Sequence, residues 1–381
     1  MNPIIILGSG LAGYNVAKEL RKLDKEAPLT LISTDSGNFY SKPMLSNALA
    51  SKKAPVALAL NSPEQMATQL NATLRPFTRV SAIDAAAHSV RIGNETLTYS
   101  KLVLALGAEQ IRLPIAGDAA DAIITVNDLD DYARFHTLLD KKKNVVIIGA
   151  GLIGSEFAND LTVAGHNVAV IDIASQPLGR LLPAAGGALL QQKLEALGVS
   201  WHLGSSTKSV SRDATALKVT LDNGTTLPAD VVLSAVGLKP RTYLARSAGL
   251  TVNRGIVVNR NLQTSNADIY ALGDCMEIEG LVMPFVMPIM HAARALGATL
   301  AGKPTVVCFP AMPVMVKTPA CPTIVAPPAA GAAGEWQIEQ TLDGIKSLFV
   351  DASGKLLGFA LIGAATAERA KLTPQLPAVL A

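Results

Sequence analysis

Two glycine-rich turns carry the chemistry open to this chain. The first is Gly8-x-Gly10-x-x-Gly13, after the apolar run Ile4–Leu7, and the second is Gly149-x-Gly151-x-x-Gly154, after Val145–Ile148. In such a turn the first glycine permits a tight bend. The second lets the backbone approach a pyrophosphate, and the third lets helix and strand pack closely. The pyrophosphate rests on the positive end of the following helix, which at the first turn involves Ser9, Leu11 and Ala12. One such turn is a weak signal, but two with strand and helix flanks imply two dinucleotides on one polypeptide. That arrangement passes electrons from a nicotinamide to a flavin. Asp35, next to Thr34, follows the strand Leu29–Ser33, and Asp172 closes Val168–Ile171. Each stands where an acid accepts hydrogen bonds from a ribose diol. At the second site this favours NADH over NADPH, because a carboxylate repels a 2′-phosphate. Arg180 reads as a loop cation.

The elements that must position these residues follow one script twice. The first half has strand Ile4–Leu7, helix Leu11–Leu23 and strand Leu29–Ser33. A hairpin then turns at Gly93-Asn94, and a strand Leu102–Leu106 closes on Gly107. The second half has strand Val145–Ile148, helix Leu152–Ala164 stopped by Gly165, strand Val168–Ile171 and helix Ala184–Leu197. Its hairpin turns at Asn223-Gly224, and its strand Val231–Ala235 closes on Gly237. Such an internal repeat is stronger evidence than either glycine turn alone. Beyond about residue 312, five prolines from Pro313 to Pro328 punctuate a loop-rich stretch. Strands Trp336–Gln340, Ile345–Val350 and Leu356–Ile362 follow, with a terminal helix near Ala364–Leu372.

Composition narrows the classes. A net charge of +3, with no basic run interleaved with aromatics, gives no case for nucleic acid. The segment Leu281–Met290 is about half the length of a spanning helix and holds two prolines, and no secretory signal is visible. The expectation is a soluble cytoplasmic protein with no membrane insertion. Cys275, Cys308 and Cys321 are far apart in sequence, so a disulfide framework or a metal site lacks ligands. The three read as buried structural thiols, and electron chemistry must run through a bound organic cofactor.

The paired glycine motifs, Leu104–Ala108, Ser234–Pro240 and Ile269-Tyr-Ala-Leu-Gly-Asp-Cys275 resemble the two-dinucleotide flavoprotein reductases. The resemblance implies an α/β fold with two Rossmann-like FAD/NAD(P)-binding domains. The NAD domain, about 111–239, is inserted in an FAD domain of residues 1–110 and 240–315. A small C-terminal α+β domain, 316–381, closes the flavin site. In that family the Gly273-Asp274 segment closes over the flavin and its acid binds the ribityl–phosphate region. Val80 matches the position of a backbone contact to adenine, and the Val286 N–H that of a bond to the flavin carbonyl. Disulfide reductases carry a redox cysteine pair after the second strand, and peroxide- or oxygen-reducing relatives a single cysteine. This chain has Phe39-Tyr-Ser-Lys-Pro-Met-Leu-Ser46 and no sulfur nucleophile there. That segment, together with Val316-Lys-Thr-Pro-Ala-Cys-Pro322, resembles the rubredoxin reductases, which bind FAD, oxidise NADH and pass electrons singly to rubredoxin, a small acidic iron protein.

On this reading Lys42 and Glu156 form a polar pair where nicotinamide meets flavin, and hydride transfer needs the reacting atoms within roughly 3–3.5 Å. Lys317 is the cation near flavin N1 and the C2 carbonyl, where it stabilises the reduced anion. Alternatives are a reductase of [2Fe–2S] ferredoxin or of a quinone on the same scaffold, and a flavoprotein that binds NADH as a sensor. Alkane hydroxylation and oxidative-stress defence are both compatible pathways.

Overall fold

The computed structural model describes residues 2–141, 143–214 and 216–381. The chain divides into two compact units. One comprises Met1–Lys42, Ala57–Glu109 and Leu238–Phe309; the other comprises Pro43–Val56, Gln110–Gly237 and Pro310–Ala381. The second unit therefore takes in both the short stretch 43–56 and the C-terminal segment.

The first unit is built on a five-stranded parallel sheet. Its spatial order is Thr73–Arg75, Leu29–Ile32, Ile4–Leu7, Lys101–Leu104, Ile269–Ala271. In chain order this reads 3-2-1-4-5, so the strand order reverses at Ile4–Leu7. Ligands bind at such a switch point, outside the carboxyl ends of the strands. The runs Ile-Ile-Ile-Leu and Leu-Thr-Leu-Ile are buried on both faces, as strands covered by helices must be. Leu7 lies level with Ile32 on one side and Leu104 on the other. Helix Leu11–Leu23 buries Tyr14, Val16, Ala17 and Leu20 and packs against helix Val286–Leu300. An antiparallel sheet of Ala82–Asp84, Ser89–Ile92 and Glu95–Thr98 turns at Gly93, where φ is +58°.

The second unit repeats the plan. Its parallel sheet has the order Ser200–Leu203, Asn167–Asp172, Asn144–Ile148, Val231–Ser234, or 3-2-1-4. Its inserted antiparallel sheet is Thr207–Asp213, Ala216–Leu221 and Thr226–Ala229. The same unit carries a five-stranded antiparallel sheet in the order Val314–Val316, Thr323–Ala326, Leu356–Gly363, Gly344–Val350, Glu335–Thr341. Phe359 and Leu361, both fully buried, anchor its core.

The structure differs from the sequence reading, or adds to it, in four places. The proline-punctuated stretch holds two strands, because Pro322 and Pro327 bracket Thr323–Ala326 and leave its ladder N–H groups intact. The apolar segment at 281–290 opens a 15-residue helix, Val286–Leu300. Pro288 stands in its first turn, where an N–H has no intrahelical partner. The terminal helix is a 3₁₀ turn, Ala364–Glu368, running into a four-residue α-helix, Arg369–Leu372. Cys308 is exposed, so only Cys275 and Cys321 are buried thiols. Among the described residues no helix is long and apolar enough to cross a membrane.

The two glycine turns share one steric requirement. A Cβ on Gly8 would lie 2.2 Å from Ala105 O, and one on Gly149 would lie 2.6 Å from Ala235 O. A Cβ on Gly13 would lie 1.9 Å from Gly8 O, and one on Gly154 1.8 Å from Gly149 O. Helix, turn and neighbouring strand thus meet backbone to backbone. Gly154→Ala is expected to destabilise the fold by about 2–4 kcal/mol, because rigid backbone must yield. A thermal midpoint within 2 °C of wild type, at about that sensitivity, would contradict this packing.

Candidate active site

In the first unit the predicted residues converge at the carboxyl ends of the parallel strands. Gly10 caps helix Leu11–Leu23, and a Cβ there would meet nothing within 4 Å, so the turn is open on that side. Asp35 accepts from Ser9 Oγ at 3.0 Å, Ser33 Oγ at 2.6 Å and Gly37 N at 3.0 Å. All three bonds go to Oδ1. Among the described residues Oδ2 accepts none, which leaves one carboxylate oxygen for a diol. Thr34 lies between Ser33 and Asp35. Phe77 N and Thr78 N bond to Asp35 O and Ser33 O, which carries the chain toward half-buried Val80. Gly273, at φ +78°, packs over the helix start, where a Cβ would lie 2.8 Å from the Ala12 methyl. Burial pushes the Asp274 carboxyl up, and the Lys42 charge pulls it back. Val286 is the first residue of its helix, so its N–H points out of the helix N-terminus with no intrahelical acceptor. Gly107 takes φ +67° and accepts from Arg241 N.

The second cradle is built alike. Gly151 caps helix Leu152–Val163 and is likewise open to 4 Å. Asp172 is fastened differently from Asp35. Its Oδ2 accepts from Ala150 N, inside the glycine turn, and its Oδ1 accepts from Ala174 N at 2.7 Å. Gly237, at φ +116°, accepts from Ile111 N at 3.0 Å. Arg180 is exposed on the loop beyond Asp172.

Glu156 has no exposed surface. Its Oε1 accepts from Lys317 N at 2.9 Å, and its Oε2 accepts from Lys317 Nζ and Ser46 Oγ. Asn47 Nδ2 donates to Lys317 O at 3.1 Å and closes the ring. The second unit thus brings together Glu156 and Lys317. Lys42 belongs to the first unit, beside Asp274.

Residues 2–297 match the family described as pyridine nucleotide-disulphide oxidoreductase. The chain belongs to this family. Residues 306–376 match a second description, rubredoxin binding C-terminal domain. The chain is 46% identical over 381 residues to the rubredoxin-NAD(+) reductase of Alcanivorax borkumensis, covering 100% of both. It is 48% identical to that of Acinetobacter baylyi, covering 98% of this chain and 97% of the relative. A solved ferredoxin reductase for the CYP199A2 system from Rhodopseudomonas palustris superposes with a TM-score of 0.89 at 25% identity. That match covers 100% of this chain and 96% of the other.

Membership of this oxidoreductase family brings FAD and NAD(H) as cofactors, and the two cradles fit them. In each turn the first and third glycines are closed by backbone, and the second faces open space where a pyrophosphate needs room. The three cysteines are free thiols and form no disulfide. Cys275 Sγ is buried against Leu104 O and Leu272 O at 3.3 and 3.4 Å, and burial pushes its pKa up to about 12. Such a thiol is protonated at neutral pH and is no nucleophile.

Sequence reasoning missed three residues that shape this site: Ser46, Asn159 and Asp160. Asn159 Oδ1 accepts from Ala320 N at 3.2 Å, and Asp160 accepts from Leu49 N and Ala50 N, each at 3.0 Å. Glu156, Asn159 and Asp160 stand at i, i+3 and i+4 of a helix whose residues 154–161 are all buried. Three polar residues on one stripe of a buried helix were a legible signal.

Two predictions follow from these partners. Lys317→Met leaves a buried carboxylate without its cation, which is worth about 3–5 kcal/mol. Adding Glu156→Gln should recover part of that loss in thermal melts; a double variant less stable than Lys317→Met would contradict the pairing. Burial, reinforced by the neighbouring Glu156 charge, raises the Asp160 pKa from 3.8 to about 6 against the pull of its two N–H donors. A raised folded-state pKa contributes stability that is complete below pH 3.8 and is lost as pH rises through about 6. The thermal midpoint of wild type relative to Asp160→Asn should therefore fall across that window. A difference that stays flat or rises there would contradict it.

Proposed function

We propose that this chain is an NADH-dependent rubredoxin reductase, in which FAD mediates between the two-electron donor and a one-electron acceptor. The reading rests on the match of residues 306–376 to a rubredoxin binding domain, within full-length similarity to two rubredoxin-NAD(+) reductases. Bound FAD supplies the conversion of a hydride into two single electrons. The chain's own residues bind and orient. Ser9, Asp35, Asp274, Val80 and Val286 hold FAD in the first unit, whereas the Gly149–Gly154 turn and Asp172 hold NADH in the second. Glu156 lies in the second turn of the helix that opens on the nucleotide, and we assign it to the nicotinamide end. Lys42 and Lys317 supply positive charge toward the flavin. A soluble, cytoplasmic protein accords with this role.

The absence of a sulfur nucleophile at Phe39–Ser46 and the protonated state of Cys275 favour direct transfer from flavin to acceptor. A ferredoxin reductase is the second reading, prompted by the likeness to the Rhodopseudomonas palustris enzyme.

The decisive experiment reoxidises the NADH-reduced, FAD-loaded protein with rubredoxin, a [2Fe–2S] ferredoxin, a quinone and dioxygen in parallel. Rubredoxin is expected to react at least ten times faster than any other, a preference of about 1.4 kcal/mol at the transition state. A ferredoxin or quinone that matches it would overturn the assignment. The same protein should oxidise NADH in preference to NADPH because of Asp172. Equal kcat/KM for both coenzymes would remove that role.

A further inference from the structure

We infer that Asp160 and Ser46 are positioning residues for NADH oxidation: Asp160 fixes the Leu49–Ala50 turn, and the turn sets the Ser46 hydroxyl on Glu156, so that Glu156 keeps one orientation. The inference rests on the proposed function only in placing Glu156 at the nicotinamide end.

Asp160 is 1% exposed, and its carboxylate spans two consecutive backbone N–H groups, Leu49 N on Oδ2 and Ala50 N on Oδ1. Among the described residues no cation forms an ion pair with it. Its titratable neighbours are unhelpful: Glu156 lies one turn back on the same helix, and the buried, neutral Tyr132 ring comes from helix Leu129–Leu138. Among the described residues the Tyr132 hydroxyl has no hydrogen-bond partner. A buried acid beside another acid is a poor choice for stability alone. An acid is required here because only a carboxylate offers two acceptors in one plane to two successive donors. An asparagine would bond one N–H and set its own amide hydrogens against the other.

The clamp acts on the reacting end through a short, rigid path. The 3₁₀ helix Lys42–Asn47 runs directly into the clamped turn. Ser51 Oγ donates back to Asn47 O and Ala48 O at 3.1 Å, and Lys53 N donates to Ala48 O at 3.0 Å. Ser46 is 3% exposed and shares Glu156 Oε2 with Lys317 Nζ, which lies 3.5 Å from the Ser46 oxygen. Without the serine hydroxyl that oxygen keeps only the mobile end of a lysine. With it, the carboxylate plane is fixed from two sides, by Lys317 N and by Ser46. Asn159, the second member of the same stripe, holds the Lys317 segment through Ala320 N.

The test uses FAD-loaded full-length protein with ferricyanide as acceptor, so a failure to reduce rubredoxin does not bear on it. Asp160→Asn, Ser46→Ala, Ser46→Thr and the Asp160→Asn/Ser46→Ala double are compared with wild type. Flavin reduction by NADH is followed by stopped flow, and amide exchange is followed over residues 46–53. Asp160→Asn is expected to speed exchange there and to slow flavin reduction about 10-fold, because a small misplacement of a positioned group costs rate. Ser46→Ala should slow reduction without changing exchange, and Ser46→Thr should restore most of the rate. The double variant should be no slower than the slower single, as expected of residues acting in series. Faster exchange with an unchanged reduction rate would overturn the inference by leaving Asp160 a purely structural role. So would additive losses in the double. If Asp160→Asn does not fold, the Ser46 pair decides alone: an unaltered rate in Ser46→Ala overturns the proposal.

Discussion

A carboxylate sealed from solvent organises the second unit. Glu156 sits on a helix that is buried along its central two turns, and burial of an ion is tolerable only if its oxygens are fully occupied. Three donors do this: a backbone N–H, an ammonium and a hydroxyl. They come from stretches 110 and 161 residues away, so satisfying one charge draws two remote segments onto the helix. The 43–56 stretch and the C-terminal sheet belong to this unit for that physical reason. The residues proposed to meet the nicotinamide are therefore held by the same bonds that hold the unit together.

The nucleotide cradles show the complementary constraint, absence of atoms. Both halves of the repeat bring a strand end, a turn and a neighbouring strand so close that no Cβ fits at the first or third glycine. The middle glycine faces empty space in both. Sterics thus divide the motif into two glycines required by folding and one required by a ligand. The acids beyond the turns differ in how they are tied. Among the described residues Asp35 keeps one oxygen free of donors, while Asp172 is bonded through both oxygens and locks its own glycine turn. The second acid has a structural duty as well as a proposed part in coenzyme choice.

Local patterns made most of the framework legible. The strand Ile4–Leu7, the helices Leu11–Leu23 and Ala184–Leu197 and both hairpin turns stand where apolar runs, periodicity and glycine placed them. Proline misled the reading once, after residue 312. Its meaning depends on position: at the third residue of helix Val286–Leu300 it is harmless, and around Thr323–Ala326 it marks strand ends. The partners of Glu156 were beyond reach for a different reason. Ser46 and Lys317 meet it across more than a hundred residues, and no local period encodes that meeting. The expectation for Lys42 rested on the family resemblance and on charge, and it is separate from the bonds that Lys317 and Ser46 make to Glu156 within the second unit. The stripe Glu156-x-x-Asn159-Asp160 was visible in the sequence but read only at its first member.

The account stands on Glu156 being the group that meets the nicotinamide, held by Lys317 and Ser46. A crystal structure of the protein with FAD and NAD⁺ bound tests this most directly. The account predicts the pyrophosphate at Gly149–Gly154, the ribose at Asp172 and the nicotinamide within hydrogen-bonding reach, about 3 Å, of Glu156. A nicotinamide ordered elsewhere, with Glu156 still sealed behind Lys317 and Ser46, would contradict it.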